Sequence, residues 1–468
     1  MTDEPEPGAV PAGPVGSGPL RPPPYPLAGP RCRSAPLGRL VLCLAVLCGL
    51  LGTPALVAGA GNRWWPLDRA AMAMRQQSAP GAAPGAEPAV AAGAAARATV
   101  IRRSRVRAAL QAALDAQAAA LLRGDEAGFL APVDAGATAL VDELRRRFGV
   151  LRALRVAGWT ETLGGEPEPV DGGWRVVVRI GYCFVVVGCE PVTVPVVTRW
   201  TDRAGSPSLV EFGTSAGADL GPRPWEVSDL RVAVGRRVLI AAPPRYADRL
   251  GTLLEAAEAA ASIADRYARW SAPPGRYLVA IAGPDEWRRW YGVHQADWVA
   301  GYAMPVADHD TEIVLNGQRV DGAEVVDTLR HEFTHVVTLD RVGRDYSGQW
   351  WLVEGIAEYV RMVGRPLADY ELLGVSRRYV RAGHATDVGS LAEPPADAPA
   401  EDAAGRYGIA FLTVRCLAER FGEERLLRFF DRVVRHGAPV AEAAVVALGR
   451  DWAGTAGGCA GYVRRSLT

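Results

Sequence analysis

Residues 322–342 read GAEVVDTLRHEFTHVVTLDRV, and their apolar positions recur with the period of an amphipathic helix. Asp321 precedes the stretch and is expected to cap the helix. Inside it lies HEFTH, in which His331 and His335 are four residues apart and so share one helix face. Two imidazoles placed in this way can bind one metal ion, and Glu332 beside them can reach a water on that metal.

A second predicted helix, WWLVEGIAEYV at residues 350–360, offers a third ligand. Its Glu354 is separated from His335 by 18 residues. The chain has only 6 histidines in 468 residues, so an H-[DE]-x-x-H pattern is expected by chance in roughly one such sequence in a hundred. The combined pattern therefore indicates a metal site rather than two ordinary helices.

These two motifs closely resemble those of the gluzincin (peptidase MA-like) zinc metallopeptidases, over about residues 241–468. The resemblance implies a mainly helical catalytic domain with a small sheet. It also implies a Zn²⁺ cofactor bound by His331, His335 and Glu354. This donor set leaves one position on zinc for a water, whose pKa the metal lowers toward ~7.

The same resemblance implies roles for further residues. Glu332 is the general base, which takes a proton from the attacking water and returns it to the leaving amine. Glu358, one turn after Glu354, is an acid that hydrogen-bonds a ligand histidine. Tyr407 is the donor expected to stabilise the oxyanion, at the start of the predicted helix GRYGIAFLTVRCLAERFG. His384 is the alternative donor, and a purely structural role for the Tyr407 phenol is weighed equally.

One segment departs from the zinc aminopeptidases, which carry G-x-M-E-N before the zinc helix. Residues 301–305 read GYAMP here, so the glycine and methionine are kept while the acid and the amide are missing. Because that acid holds the free amine of a substrate, its loss favours cleavage within a chain. The predicted strand at residues 311–316 would then pair with an extended peptide.

Residues 99–240 are predicted to form a separate α+β domain. Helical spacing at residues 101–123 and 137–152 gives way to the alternation of antiparallel strands. Strands are predicted at residues 174–187, 192–200, 209–214 and 237–243. The order of elements and the phrase AALLRGDEAGFLAPVD resemble nuclear transport factor 2-like cone domains, which implies a binding, spacing or assembly role.

The N-terminal part is predicted to attach the protein to a membrane. Residues 1–39 form a disordered Pro/Gly-rich tail, and residues 63–98 form an Ala/Pro/Gly-rich linker. Between them, residues 40–62 are uncharged and have the ~20 apolar residues of a transmembrane helix or signal anchor. A cleaved signal peptide is the alternative, since residues 58–60 read AGA.

The cysteines bear on the compartment. Four lie outside the apolar span, and Cys183 with Cys189 and Cys416 with Cys459 are compatible with two disulfides or with buried thiols. Disulfides persist outside the cytosol, so this pairing favours an extracytoplasmic catalytic domain on a single-pass membrane protein, with secretion as the alternative.

Composition excludes some classes of function. The 52 basic residues balance the 52 acidic ones, so net charge predicts no nucleic-acid partner. The sequence therefore predicts an α+β, membrane-anchored zinc metallopeptidase acting on a peptide or protein substrate. The competing hypothesis is an inactive cell-surface binding or assembly protein with a structural zinc site. Oligomeric state does not follow from the sequence.

Overall fold

The computed structural model covers most of the chain after residue 86. It describes residues 87–203, 206–215, 221–292, 300–307, 309–320, 324–343, 346–384, 386–395 and 398–468. The predicted tail, the predicted span at residues 40–62, the first part of the linker and the predicted cap Asp321 lie outside these ranges. From Val106 onward the described residues form one compact unit, whereas those up to Arg105 belong to another. Within these ranges, no helix is both long and apolar enough to cross a membrane.

Strands and helices follow one another in an order that produces two sheets. The helices are α1 (Glu87–Arg123), α2 (Glu126–Leu130), α3 (Thr138–Ala153), α4 (Pro224–Val227), α5 (Leu250–Ala264), α6 (Pro284–Tyr291), α7 (Glu324–Thr338), α8 (Trp350–Arg361), α9 (Leu373–Arg381), α10 (Ala400–Phe421), α11 (Glu423–Phe430), α12 (Val440–Leu448) and α13 (Trp452–Leu467). The strands are β1 (Val156–Leu163), β2 (Glu168–Val170), β3 (Gly173–Phe184), β4 (Val192–Arg203), β5 (Ser206–Phe212), β6 (Arg231–Val234), β7 (Val238–Ala242), β8 (Tyr277–Ala282), β9 (Gly301–Ala307) and β10 (Asp310–Asn316).

The first sheet is antiparallel, with the order β1-β3-β4-β5 and with β2 beside β3. Its strands alternate as predicted, since Val192, Val194 and Val196 of β4 are buried while the residues between them are exposed. Register shifts in β1 and β4 bend the sheet, and α3 packs against it through buried residues such as Phe148. The predicted α+β class is confirmed, whereas the likeness to nuclear transport factor 2-like domains stays a prediction.

Strand β1 was not predicted from the sequence, for a physical reason. Trp159, Glu161 and Leu163 all face the buried side of the sheet. An acidic residue at an inward position interrupts the apolar alternation by which a strand is recognised.

Glu161 is expected to make the fold less stable as the pH rises. Its side chain is 2% exposed, Trp159 Nε1 donates to its Oε1 at 2.8 Å, and its Oε2 is buried with no hydrogen-bond partner among the described residues. Burial raises the pKa of Glu161 from 4.5 to about 8. The folded chain therefore keeps a proton that the unfolded chain loses, and this lowers stability progressively between about pH 4.5 and pH 8.

Glu161→Gln should remove this pH dependence. Between pH 5 and pH 7.5, the free energy of unfolding of the wild type should fall by about 3 kcal/mol more than that of the variant. Urea denaturation at the two pH values measures this difference. The matched control is Glu166→Gln, because the Glu166 side chain is 73% exposed and should follow the wild type at both pH values. Parallel behaviour of Glu161→Gln and wild type would show that Glu161 is ionised in the fold.

The second sheet has the order β6-β7-β8-β10-β9. Strands β7, β8 and β10 are parallel to one another, and β6 and β9 close the two ends in antiparallel fashion. Helix α5 connects β7 to β8, as a parallel crossover requires. Tyr277 of β8 stacks on Phe333 of α7 with ring centroids 4.2 Å apart, so α7 lies against one face of this sheet.

Two expectations about strands are corrected. The strand predicted at residues 237–243 forms as β7, but it pairs in the second sheet, so the predicted domain boundary at residue 240 falls inside a strand. The strand predicted at residues 311–316 forms as β10, but it lies between β8 and β9. Both of its edges are already paired, and it cannot add a substrate strand. Strand β9 stands at the end of the sheet instead.

Helices α7, α8 and α10 build the core beneath the second sheet. A Cβ placed on Gly355 of α8 would lie 2.5 Å from Val414 Cγ2 and 2.8 Å from Ala410 O, both in α10. Only glycine lets the two helices approach this closely. The sequence predicted Tyr407 at the start of a helix. Helix α10 begins at Ala400 instead, so Tyr407 lies inside it.

Both predicted cysteine pairs are disulfides. Cys183 at the end of β3 is bonded to Cys189, and Cys416 of α10 is bonded to Cys459 of α13. The first closes a short loop and the second ties the last helix to the core. These four cysteines are therefore not available as thiolate ligands for a metal.

Candidate metal centre

Helix α7 brings two imidazoles together. His331 and His335 lie one turn apart, their Nε2 atoms are 3.0 Å apart, and both side chains are buried. Their i, i+4 spacing places them on one face, as the sequence predicted. The rings meet edge to face, with centroids 4.8 Å apart.

Helix α8 packs on α7 and delivers the third group. Glu354 Oε2 lies 3.2 Å from His331 Nε2 and 3.4 Å from His335 Nε2, and the Glu354 side chain is fully buried. These three residues form a group whose ligand atoms are close enough to hold one metal ion. No other His, Cys, Asp or Glu joins the group in the part of the chain that the structure describes.

The donor set fits a zinc ion. Two imidazole nitrogens and one carboxylate oxygen are typical ligands of catalytic zinc. Glu354 Oε1 is buried and has no hydrogen-bond partner among the described residues, so this carboxylate keeps acceptor capacity that a cation can use. Burial disfavours the charged form of Glu354, but the two histidines outweigh it and hold its pKa below the ordinary value.

Glu358 supports His331 from behind. The carboxylate can only accept, so Nδ1 of His331 donates to Glu358 Oε1 at 2.7 Å, which directs Nε2 toward the metal group. Burial opposes ionisation of Glu358, but the charge of Arg361 and the bonds from His331 and Tyr370 lower its pKa to about 2. Burial also opposes the charging of His331, yet the hydrogen bonds to Glu354 and Glu358 raise its pKa to about 9.

Glu332 lies next to His331 on α7 and is buried. Its carboxylate rests against the start of β9, since a Cβ placed on Gly301 would lie 3.1 Å from Glu332 Oε1. Strand β9 therefore passes directly beside the residue that the resemblance makes the general base.

Tyr407 lies beside the metal group. Its ring centroid is 6.4 Å from that of His331 and 5.0 Å from that of Trp350, and its side chain is buried. Burial, followed by the charges of Glu354 and Glu358, raises the pKa of Tyr407 well above its ordinary value, so the phenol stays protonated. A role as oxyanion donor remains a prediction.

The other histidines have other surroundings. His384 is exposed and stacks on Tyr379 with centroids 4.2 Å apart. His309 pairs with Glu190 at 3.3 Å, and the exposed His436 pairs with Asp431 at 3.5 Å. His294 lies outside the described residues. None of the described three belongs to the metal group.

Sequence reasoning missed Arg435, which supports the carboxyl end of α7. Its Nη1 donates to Thr338 O and Asp340 O, at 2.9 Å each, and so satisfies carbonyls at the end of α7. Arg435 ends a π-helical turn, Asp431–Arg435, which follows α11. The sequence gives no signal for this contact, because it joins residues 97 positions apart.

Comparisons with known proteins find a distant likeness among solved structures. No family model matches the sequence, and no curated protein matches it. Among solved structures, the chain is similar to a two-domain M1 zinc metallopeptidase, determined as a mutant bound to L-arginine, at 15% sequence identity. The match covers 66% of this chain and 74% of that one, with a TM-score of 0.30.

Proposed function

We propose that this chain is a gluzincin-type zinc metallopeptidase that hydrolyses peptide bonds. The observation that supports it is the convergence of His331, His335 and Glu354 from two neighbouring helices, with Glu332 buried beside them. When bound, zinc supplies a Lewis acid that acidifies water and polarises the scissile carbonyl. Glu332 then accepts the proton of the attacking water and passes it to the leaving nitrogen.

The surroundings of the site favour an extended peptide as the substrate. Strand β9 ends the second sheet, with no further strand hydrogen-bonded to it among the described residues, and its first residue lies against Glu332. A peptide that pairs with this edge would pass the general base with its backbone in reach. This geometry accepts a peptide from the middle of a chain, which favours cleavage within it.

An open site is favoured over a closed structural one. A structural zinc site needs a fourth protein ligand, usually cysteine or histidine. The described cysteines are in disulfides, and the metal group has three members among the described residues. Among the described residues nothing fills the fourth position, which supports a site open to water and substrate.

We also propose that the peptidase faces the outside of a cell membrane. The apolar residues 40–62 would anchor it, and the two disulfides are the kind of bond that persists outside the cytosol. Secretion after cleavage at residues 58–60 is the alternative. Detection of the mature protein in the membrane fraction or in the medium distinguishes the two.

Metal analysis of the purified protein, followed by a peptide-library digest with and without chelator, tests the proposed function. About one zinc per chain and cleavage that the chelator stops are expected. Bound zinc without any cleavage would favour the inactive binding protein. Absence of zinc would refute the metal site itself.

Gly301→Val should impair catalysis without loss of zinc. A Cβ at this position already meets Glu332 Oε1 at 3.1 Å and both Leu315 Cδ2 and Thr328 Cγ2 at 3.2 Å, so we expect the larger side chain of valine to push on the carboxylate. Because small misplacements of a catalytic group are costly, kcat should fall by about 10²-fold. Kinetics and zinc content are compared with Gly251→Ala, whose new Cβ meets nothing within 4 Å. An unchanged kcat would show that Glu332 is not held by β9.

A further inference from the structure

The carboxylate of Glu358 is held on both of its oxygens. Oε1 accepts from His331 Nδ1 at 2.7 Å, and Oε2 accepts from the Tyr370 hydroxyl at 2.8 Å. All three side chains are buried, so no solvent competes for these bonds. The Tyr370 ring packs on Phe411 of α10 with centroids 4.3 Å apart, which fixes the direction of its hydroxyl.

Arg361 adds a charge to the same carboxylate. Its Nη1 lies 3.1 Å from Glu358 Oε1 and 3.4 Å from Oε2, and its Nη2 pairs with Glu371. The Arg361 side chain is only 11% exposed. Tyr370 and Glu371 are consecutive, so one turn of the chain after α8 contacts both Glu358 and Arg361.

This arrangement has a consequence for the metal group. A carboxylate that is held on both oxygens keeps accepting from Nδ1 of His331, and this holds the ring with Nε2 toward Glu354 and His335. If the carboxylate were free to rotate, the imidazole could turn, and Nε2 would no longer face the other two members of the metal group.

We propose that Tyr370 and Arg361 are positioning residues that set the zinc affinity of the site by holding Glu358 onto Nδ1 of His331. This inference rests on the metal site of the proposed function, but not on peptide hydrolysis. Neither residue needs to touch the metal, since the hydroxyl of Tyr370 and the guanidinium of Arg361 both end on Glu358.

Tyr370→Phe tests the inference in the full chain, because it removes one hydroxyl and keeps the ring. The zinc dissociation constant, measured by competition with a chromophoric chelator, should rise about 10- to 100-fold. The visible absorption spectrum of the Co²⁺-substituted protein should change as well, since it reports ligand geometry. Arg361→Lys keeps the charge but loses the planar fork, and it should weaken zinc binding about tenfold.

Tyr359→Phe is the matched control, and it lies on α8 with Glu358 and Arg361. The Tyr359 hydroxyl also bonds a carboxylate, Glu423 at 3.2 Å, but that carboxylate does not contact the metal group. Its zinc affinity and Co²⁺ spectrum should equal those of wild type, even if its thermal stability falls. Wild-type zinc affinity in Tyr370→Phe and Arg361→Lys would overturn the inference. Zinc binding without hydrolysis in the wild type would refute the proposed function alone, and a wild type that binds no zinc would refute both.

Discussion

Glu332→Gln is expected to keep its zinc and to lose peptide hydrolysis. The amide has the size of the carboxylate and fits the same buried position, but it cannot accept a proton from the attacking water. Loss of a general base costs about 10²- to 10⁴-fold, so kcat/KM should fall within that range while zinc content and thermal stability stay close to wild type. Steady-state kinetics on a cleaved library peptide and metal analysis of the same sample measure both.

Glu324→Gln is the control for this substitution. Glu324 lies in the first turn of the same helix and is exposed, so the same chemical change there should leave hydrolysis unaltered. If Glu332→Gln cleaved peptides as fast as wild type, Glu332 would not be the general base. That result would not contradict metal binding by His331, His335 and Glu354.

His335→Ala is expected to lose both zinc and activity. His335 is 5% exposed and is one of only three groups gathered around the metal position among the described residues. Loss of a residue that merely supports a ligand weakens binding by about 10- to 100-fold, so loss of the ligand itself should exceed ~100-fold. Equilibrium dialysis against zinc and a peptide assay are the measurements.

His384→Ala is the matched control for the histidine change. His384 is exposed and stacks on Tyr379, so zinc binding should be unaffected. The same variant separates the two candidates for the oxyanion donor, because hydrolysis should persist if Tyr407 has that role. Full zinc retention by His335→Ala would contradict the metal site.

Local sequence patterns were sufficient for the metal group. His331 and His335 share a face because any α-helix places residues four apart on one side. The helix that carries Glu354 was recognisable from its own apolar period, and its distance from His335 along the chain is a sequence property. The disulfide partners were also recognisable as candidates, although the sequence left buried thiols open.

Other features could not be read from the sequence, because they depend on contacts between distant segments. Arg435 reaches carbonyls at the end of α7 across 97 residues, and Tyr370 reaches Glu358 through a turn that has no recognised motif. Strand β10 had the composition of a strand, but its place between β8 and β9 depends on which strands pair with it.

The sequence by itself determined the chemistry available to this protein, since helical period and residue type specify which side chains lie on which face. Only the tertiary structure decided how that chemistry is arranged. Packing of α8 against α7 and α10 sets the distance from Glu354 to the histidines, and the glycine at position 355 permits it. Pairing energy between strands depends on the partner and not on the strand alone, so the order that places Gly301 beside Glu332 is a property of the whole fold.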